Sequence, residues 1–391
     1  MPISTGALLV VLSILIFLGL IESILHRNAI SKIPIRVHVN GTRGKSSVTR
    51  LIAAGLRSGG IKTFAKTTGS SPRFIDDNGD DHVIQRFRPA SIGEQIRMIG
   101  KFSKQSPGAI VMECMAVQPQ YQWVSEHKIL QSNYGVLTNV RADHLEEMGY
   151  SINHIAKSLS NTIPFNQKFF TSEIDCQDLL ENKSKENGSE FSLSEGAKLD
   201  TKYLDGFAFI EHPDNIALAL DVCEDIGIKK DVAIEGMRSM VPDPGALTLT
   251  NLLINDRQID FVNAFAANDP QSTLKTWNII SEYVKDNNKK IAVFLNTRSD
   301  RQLRTQQLLD MIFSKMKVDY LIVRGDNLKN EIQLRCDKVK KINYSIFHSD
   351  DSTSKIIDRM ARLDDYLVVG IGNIVGWGED FIRQLKEYRN G

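Results

Sequence analysis

A glycine-rich loop at residues 40–47 constrains the fold of this chain more than any other feature. It reads NGTRGKSS and follows residues 35–39, a short apolar run that predicts a buried β-strand. After the loop, Val48, Ile52 and Leu56 recur at the spacing of one helix face. A strand, a glycine loop and a helix in this order place backbone N–H groups and the helix N-terminus where they can hold a phosphate. We therefore predict an α/β domain with a phosphate-binding loop.

The side chains of this loop match those that bind a nucleoside triphosphate. Lys45 is expected to neutralise the β- and γ-phosphate oxygens, and the Ser46 hydroxyl is expected to coordinate Mg²⁺. The general pattern has another glycine five residues before Gly44, where this chain has Val39. A glycine turn with an incidental lysine is the structural alternative, but the strand–loop–helix context favours phosphate binding. The predicted nucleotide-binding residues of the loop are Gly41, Thr42, Arg43, Gly44, Lys45, Ser46 and Ser47.

A long apolar stretch precedes the loop. Residues 6–21 carry no charge, whereas a helix needs about 20 apolar residues to cross a bilayer. A cleaved signal peptide would have basic residues before the apolar run and a small-residue cleavage site after it, and neither pattern is present. The first basic residue, Arg27, follows the stretch, so the positive-inside rule places the rest of the chain in the cytoplasm. We expect an uncleaved, single-pass anchor in the cell membrane.

Composition excludes several other classes of protein. The 48 Lys and Arg residues nearly balance the 47 Asp and Glu residues, so we expect no nucleic-acid partner. The four cysteines are scattered and form no CxxC pair, which argues against a disulfide framework and against a structural zinc site.

Strand-like and helix-like segments alternate after the anchor, which predicts parallel sheets covered by helices. Predicted strands lie at 35–39, 109–112, 134–138, 168–171, 260–264, 291–296, 320–324 and 366–371, and predicted helices at 45–58, 91–104, 152–162, 271–284 and 301–316. The polar stretch 180–198 is expected to be a surface loop or a short hairpin. Two prolines and a glycine at 242–245 mark a domain boundary, because they break both kinds of element.

Polar residues stand where two other predicted strands end. Glu113 follows the strand at 109–112, and Asp143 and His144 follow the strand at 134–138. Ligands of open α/β sheets bind at the carboxyl edge, where a carboxylate can hold Mg²⁺ beside a triphosphate. Each residue alone could be structural, but three strand ends that converge on one edge favour a site. The predicted metal ligands are Ser46, Glu113 and His144, and the predicted catalytic residues are Lys45, Glu113 and His144.

These motifs, in this order and spacing, resemble those of the Mur ligase family, which includes the peptidoglycan-precursor ligases and folylpolyglutamate synthase. The resemblance extends from about residue 35 to the C-terminus and is most specific in the N-terminal half. It implies that Asn215, which opens a helix after the sequence HPD, faces the adenine base. It also implies an acidic–basic motif at Asp300 and Arg301 in a C-terminal domain. The nucleotide-binding residues implied beyond the loop are Asn215, Asp269, Arg298, Asp300 and Arg301.

Within the family, the chain resembles the membrane-anchored ligases that make γ-linked polyglutamate. The implied architecture is a transmembrane anchor at 1–30, a P-loop ATP-binding domain with a parallel sheet at 31–245, and a smaller Rossmann-like α/β domain at 246–391. The implied enzyme is an ATP- and Mg²⁺-dependent carboxylate–amine ligase that works through an acyl phosphate. Glutamate and poly-γ-glutamate are the implied substrates, the C and A subunits of a polyglutamate synthase are the implied membrane partners, and an oligomer in the membrane is expected.

Two groups of arginines are candidates for binding polyglutamate, because a guanidinium group binds a carboxylate bidentately. They are Arg73, Arg86 and Arg88 in the first domain and Arg298, Arg301 and Arg304 in the second.

The chain departs from the family pattern in two places. The family has Pro-Gly-Arg, whose arginine holds the γ-phosphate, where residues 244–246 read Pro-Gly-Ala. Arg43, Arg298 or Arg301 could replace that arginine, and no counterpart of the family's modified lysine is identified. Three alternatives stay open: a P-loop ATPase that acts as a membrane switch, a non-catalytic scaffold, and a Mur-type ligase that acts on folate or a lipid-linked cell-wall precursor.

Overall fold

The computed structural model divides into two compact units, Met1–Phe207 with His212–Val241 and Ala208–Glu211 with Pro242–Gly391. It describes the chain except for residues 1–4, 70–71, 87–89, 205, 208, 210, 244–246, 256, 266–269, 271–272, 275, 279, 282–288, 340, 364–365 and 389–391. Each unit contains one sheet of its own.

The N-terminal apolar stretch forms a single helix, α1 (Thr5–Ser31). An 18-residue window within its segment Leu8–Ser31 has a mean hydropathy of 2.8, and the length and composition of this segment are sufficient for a membrane span. The C-terminal end of α1 nevertheless joins the first unit, because Ile30 and the nearby Ile33 are buried in the core of that unit. Nε2 of His26 also lies 2.7 Å from the backbone oxygen of Ile129. The apolar helix is therefore continuous with the folded unit.

The first sheet has eight strands in the order β4-β3-β2-β5-β1-β6-β7-β8. The strands are β1 (Ile35–Asn40), β2 (Thr63–Thr67), β3 (Arg73–Ile75), β4 (Asp81–Val83), β5 (Ala109–Glu113), β6 (Tyr134–Leu137), β7 (Lys168–Thr171) and β8 (Glu190–Leu193). All neighbours pair in parallel except β3, which is antiparallel to both β2 and β4. The helices after α1 are α2 (Lys45–Ser58), α3 (Gly93–Ser103), α4 (Pro119–Val124), α5 (Leu145–Met148), α6 (Ile152–Leu159), α7 (Gln177–Glu186), α8 (Pro213–Asp225) and α9 (Lys230–Ser239).

Both faces of the central strands are buried, which explains their continuous apolar sequences. Val37 and Val111 point into a core shared with α2, α8 and α9. Ile110 and Met112 point to the opposite face, into a core shared with α3 and the end of α1. This layering leaves the carboxyl ends of the parallel strands available for ligands.

The expectation of a loop or hairpin at 180–198 is wrong. The segment contains most of α7 and the whole of β8, which pairs in parallel with β7. β8 is an edge strand whose side chains are exposed or half-buried, so it needs few apolar residues. Among the apolar residues of α7, Leu180 is the one that is fully buried. The polar composition of this segment therefore reflects its place at the edge of the sheet.

The second unit contains a six-stranded sheet in the order β13-β12-β11-β14-β10-β9. The strands are β9 (Thr248–Ile254), β10 (Arg257–Asn263), β11 (Lys290–Asn296), β12 (Tyr320–Arg324), β13 (Asn343–Phe347) and β14 (Tyr366–Gly372), and the described helices are α10 (Gln302–Lys315), α11 (Lys329–Lys338), α12 (Thr353–Met360) and α13 (Trp377–Leu385). Among the described strands of this unit, only the hairpin of β9 and β10 is antiparallel. The predicted α/β class with parallel-rich sheets is confirmed, whereas much of the predicted helix at 271–284 lies outside the described residues.

Candidate functional site

The loop between β1 and α2 has a backbone that needs glycine at two positions. Gly41 has φ 131° and Gly44 has φ 81°, values that L side chains rarely adopt. A Cβ atom on Gly41 would lie 2.1 Å from Oγ1 of Thr138, and one on Gly44 would lie 2.9 Å from Oδ1 of Asn215. The loop is thus packed closely on both sides, and Asn215, predicted to bind the adenine base, lies beside it.

The segment that follows β6 holds this loop in place. The backbone N–H of Thr42 donates to Asn139 O (2.9 Å), and Arg43 O accepts bonds from Thr138 Oγ1 (2.6 Å) and Asn139 Nδ2 (2.9 Å). The guanidinium of Arg43 lies 3.3 Å from the Asp143 carboxylate. Because these contacts come from the protein itself, the loop is preorganised for a ligand. Asp143 thus helps to position the loop.

The N-terminus of α2 and the side chain of Lys45 can hold phosphate. Gly44 is the N-cap residue and supplies no side-chain cap. Lys45 Nζ donates to Gly41 O (2.7 Å) and Thr42 O (3.2 Å), so its charge lies over the loop. A phosphate can replace these two carbonyl contacts while the helix N-terminus adds a favourable partial charge. The residues present therefore fit a phosphate group.

Ser46 and Glu113, two of the predicted metal ligands, are in direct contact. Ser46 Oγ donates to Glu113 Oε2 at 2.8 Å, and the backbone N–H of Thr68 donates to the same oxygen at 2.6 Å. Gln95 Nε2 donates to the backbone oxygen of Glu113 at 3.2 Å. Mg²⁺ prefers such hard oxygen ligands and is usually bound by one or two protein groups together with substrate phosphates. The pair therefore fits a Mg²⁺ site beside the loop.

His144 immediately precedes α5, with φ 47°, and its side chain is about half exposed. Its ring nitrogens lie 4.0 Å from Asp143 and 3.9 Å from Glu147. Among the described residues, no three His, Cys, Asp or Glu side chains form a metal-binding group. Metal ligation by His144 stays a prediction.

A buried ion network that the sequence did not reveal lies next to Glu113. Lys66, at the end of β2, is fully buried and lies 2.9 Å from Glu94, which Arg86 binds bidentately at 2.7 and 2.9 Å. Burial opposes ionisation of Glu94, but the bonds from Arg86 and the charge of Lys66 outweigh it and lower the pKa of Glu94 to about 2. Burial lowers the pKa of Lys66, and the charges of Glu94 and Glu113 oppose that shift. A lysine within the short segment Thr-Phe-Ala-Lys-Thr, which has no other charge, is the sequence signal that could have found this network.

Two of the first-domain arginines proposed for polyglutamate already bind carboxylates of the chain. Arg86 binds Glu94, and Arg73 lies 3.4 Å from Asp81, which also pairs with Arg50 at 3.0 Å. The third, Arg88, lies outside the described residues. A substrate carboxylate would have to compete with these internal partners.

A pocket in the second unit brings together the arginines predicted there. It opens at the carboxyl ends of β11 and β14, the edge at which ligands of open α/β sheets bind. Its lining includes Asn296, Thr297, Arg298, Arg301, Arg304, Gly372 and Asn373.

Asp300 lies beside this pocket and pairs with Arg298 at 2.6 Å, and the bond from Arg298 lowers the pKa of the Asp300 carboxyl. Asp269 lies outside the described residues. A contact that the sequence did not indicate is the stacking of Arg324, at the end of β12, on the ring of Trp377 at 4.1 Å.

Comparison with known protein families covers both units. Residues 39–222 match the Mur ligase middle domain, and residues 249–388 match the poly-gamma-glutamate synthase CapB C-terminal domain. PGA synthase CapB of Bacillus subtilis (strain 168) is 33% identical over 391 residues, which cover 98% of each chain. Capsule biosynthesis protein CapB of Bacillus anthracis is 35% identical over 381 residues, covering 96% of this chain and 82% of that protein.

Solved structures with the same fold are similar over nearly the whole chain. Folylpolyglutamate synthase of Thermotoga maritima has a TM-score of 0.66 at 15% identity, covering 93% of this chain and 92% of that one. The bifunctional folylpolyglutamate synthase/dihydrofolate synthase of Yersinia pestis, solved with AMPPNP and Mn, has a TM-score of 0.65 at 14% identity, covering 94% and 92%. At identities of 14–15%, this similarity shows a shared fold. Because two family models and two relatives that match nearly the whole chain agree, the chain belongs to the Mur ligase family, in the branch that contains the CapB proteins.

Proposed function

We propose that this protein is an ATP-dependent carboxylate–amine ligase that forms γ-glutamyl bonds in poly-γ-glutamate. The observation that carries the proposal is the Ser46–Glu113 contact beside the preorganised loop, in a chain similar over its full length to PGA synthase CapB. A non-catalytic scaffold would not need this hydroxyl and carboxylate to meet next to a phosphate-binding lysine.

The proposed nucleotide site uses the loop and the groups around it. Lys45 and the N–H groups at the start of α2 hold the phosphates, Ser46 and Glu113 hold Mg²⁺, and His144 is a third proposed ligand. When bound, ATP with Mg²⁺ supplies the phosphoryl group that activates a carboxylate as an acyl phosphate. The chain itself contributes position and charge, which are the main requirements of phosphoryl transfer.

The proposed substrates are glutamate and the growing polyglutamate chain. The names of the curated relatives support this choice, and so do the cations of the second-unit pocket, Arg298, Arg301 and Arg304. Guanidinium groups suit a polyanion whose carboxylates they can bind in pairs. Asn215, Asp269, Arg298, Asp300 and Arg301 remain the proposed contacts to the nucleotide.

The proposed location is the cell membrane, with α1 as a single-pass anchor and the catalytic units in the cytoplasm. The apolar composition of α1 and the basic residues after it support this orientation. Because a single apolar helix cannot form an export path, we propose that other membrane subunits, the C and A subunits of a polyglutamate synthase, assemble with it into an oligomer.

The test is ATP turnover by membranes that contain the complete complex, with the product identified by mass. Glutamate should stimulate ATP turnover, and the product should grow in steps of one glutamyl residue. Release of inorganic phosphate that no acceptor stimulates would instead favour a P-loop ATPase switch. Stimulation by folate or a lipid-linked precursor, but not by glutamate, would reassign the substrate.

A further inference from the structure

The helices α1 and α3 end at the same edge of the first sheet. α1 ends at Ser31, just before β1, and α3 ends at Ser103, shortly before β5. β1 and β5 are parallel neighbours, with Ile35 opposite Ala109. Both helices therefore finish at the amino edge of the sheet, the edge opposite the nucleotide loop.

The other end of α3 lies at the carboxyl edge. Gln95, in its first turn, donates a bond to the backbone oxygen of Glu113, the last residue of β5. Glu94 pairs there with Lys66, near the end of β2. From Ser103 back to Gln95, α3 thus spans the sheet from one edge to the other.

α1 lies beside α3 and runs in the same direction across the sheet. One cleft between the two helices is lined by Ile96 and Gly100 of α3 and by six residues of α1, Leu18, Ile21, Glu22, Leu25, His26 and Ala29. Ile96 directly follows Gln95, so α1 reaches the level of the carboxyl edge. The stretch from Leu18 to Ser31 is about 20 Å long, which matches the length of about 20 Å expected for a six-residue strand such as β1. The apolar residues before Leu18 therefore extend beyond the sheet on the side of the nucleotide loop.

Exposed apolar side chains are found in the loops and helix starts at that same edge. Tyr150 is 80% exposed and Ile174 is 59% exposed, although both are parts of a folded unit. Such side chains at the carboxyl ends of β5, β6 and β7 are Tyr121, Leu145, Tyr150, Ile152 and Ile174. At the opposite edge, Phe165 and Val232 are also exposed, and the Phe165 ring lies against His127 at 4.2 Å. Tyrosines are enriched where proteins meet the headgroup region of a bilayer.

We infer that the edge of the first sheet that carries the nucleotide loop faces the lipid bilayer, with Tyr121 and Tyr150 at the level of the headgroups. The inference rests on the proposed anchoring of the protein by α1. It places γ-glutamyl transfer on the membrane side of the protein, where subunits that export the polymer would meet it.

The test measures how close each edge lies to lipid. The full-length protein carries Cys336→Ser, which leaves the three buried cysteines, and one added cysteine that bears a fluorophore. The added cysteine replaces Tyr121 or Tyr150 at the carboxyl edge, Gln105 at the amino edge, or Leu12 within the span. The proteins are reconstituted in phosphatidylethanolamine–phosphatidylglycerol vesicles, with or without a lipid that carries a nitroxide on its headgroup.

Nitroxide should reduce fluorescence at residues 121 and 150 and at residue 12, and should leave it unchanged at residue 105. Quenching at residue 105 that equals or exceeds quenching at residues 121 and 150 would overturn the inference. So would quenching at residue 12 alone. If residue 12 is not quenched either, the anchoring proposal itself fails, and the inference fails with it.

Discussion

Among the described residues, Lys45 donates its hydrogen bonds to two backbone carbonyl groups of its own loop. This determines the effect that its removal will have. Truncation takes away a charge that faces the proposed phosphates, while the bonds that fix the loop come from Thr138, Asn139 and Asp143. The loop should therefore keep its conformation without the lysine.

We predict that Lys45→Ala abolishes ATP turnover while the protein stays folded. Loss of a charge that stabilises the transition state typically reduces the rate by about 10²–10³-fold. Turnover and the thermal unfolding midpoint should be measured on the same preparation. Lys62→Ala is a matched control, because Lys62 is exposed and pairs with Asp77 away from the loop. Near-normal turnover of the Lys45 variant would remove the phosphate-binding assignment.

Glu113→Gln should raise the Mg²⁺ concentration required for activity, because an amide is a weaker ligand for Mg²⁺ than a carboxylate. The side chain keeps its size and can still accept the Ser46 and Thr68 bonds, so the fold should survive. His144→Ala should act in the same direction if His144 is a ligand, and Glu146→Gln at an exposed position of the same short helix is the control. Unchanged Mg²⁺ dependence in both test variants would mean that these residues are structural.

His38 and Glu126 form a buried pair at 2.7 Å on the face of β1 opposite α2. Burial disfavours the charged imidazole, but the contacts with Cys114 and Glu126 outweigh it and raise the pKa of His38 to about 10. A raised pKa in the folded state stabilises the protein fully below the unfolded pKa of about 6.5, and this stabilisation is lost as the pH rises through 10.

Glu126→Gln should therefore destabilise the protein more at pH 7 than at pH 10.5. Removing one partner of a buried ion pair typically costs about 3–5 kcal/mol. Thermal unfolding in detergent at both pH values measures the difference. An equal loss of stability at the two pH values would show that His38 is neutral in the folded protein.

At the scale of elements, the sequence predicts best where one short pattern is sufficient. The predicted helix at 45–58 and the predicted strands at 168–171 and 320–324 have the same bounds as the observed elements. In each of them the apolar pattern stops where a glycine or polar residues begin, so both signals mark the same ends. Six observed strands were not predicted, β2, β3, β4, β8, β9 and β13. Of these, β3 and β4 have three residues each and β8 is polar, so none of the three gives a periodic signal.

The α1 helix allows an element-scale test with two truncations. Deleting residues 1–25 should release a soluble protein that still binds nucleotide, because Ile30 and Ile33 remain in the core. Deleting residues 1–33 removes both side chains and should destabilise the first unit, since loss of a buried isoleucine side chain costs about 2–5 kcal/mol. Sedimentation after cell lysis and binding of a fluorescent ATP analogue measure the two properties. If the shorter truncation cannot bind nucleotide, the helix does more than anchor the protein.

At the scale of the whole molecule, the sequence predicted the α/β class and the family because the loop, Glu113 and the 138–144 segment keep a fixed order along the chain. It also predicted that Ser46 and Glu113 meet, since both follow parallel strands that end at one edge. It did not predict the pairing of Lys66 with Glu94 or the internal partners of Arg73 and Arg86. The lysine in β2 signals that a buried partner is needed, but which side chain that partner is depends on positions in three dimensions.

The arginine pocket of the second unit leads to a prediction about the whole enzyme. Arg304→Gln should raise the apparent KM for polyglutamate more than the KM for ATP, and high salt should have the same effect, because screening weakens exposed charge pairs. Steady-state kinetics with each substrate varied in turn measure both values. Lys317→Gln, at a basic position outside the pocket lining, is the control. An increase confined to the KM for ATP would assign Arg304 to nucleotide binding.

The central claim is that this chain uses ATP to join glutamate into a γ-linked polymer. The most direct measurement is the mass of the product formed from isotopically labelled glutamate and ATP by membranes that contain the complete complex, compared with membranes that carry Lys45→Ala. The account predicts products that increase by one labelled glutamyl residue at a time, with ATP consumed in proportion, and none from the variant. If glutamate neither enters a product nor stimulates ATP turnover, while another amino acid or a folate does, the poly-γ-glutamate assignment is contradicted.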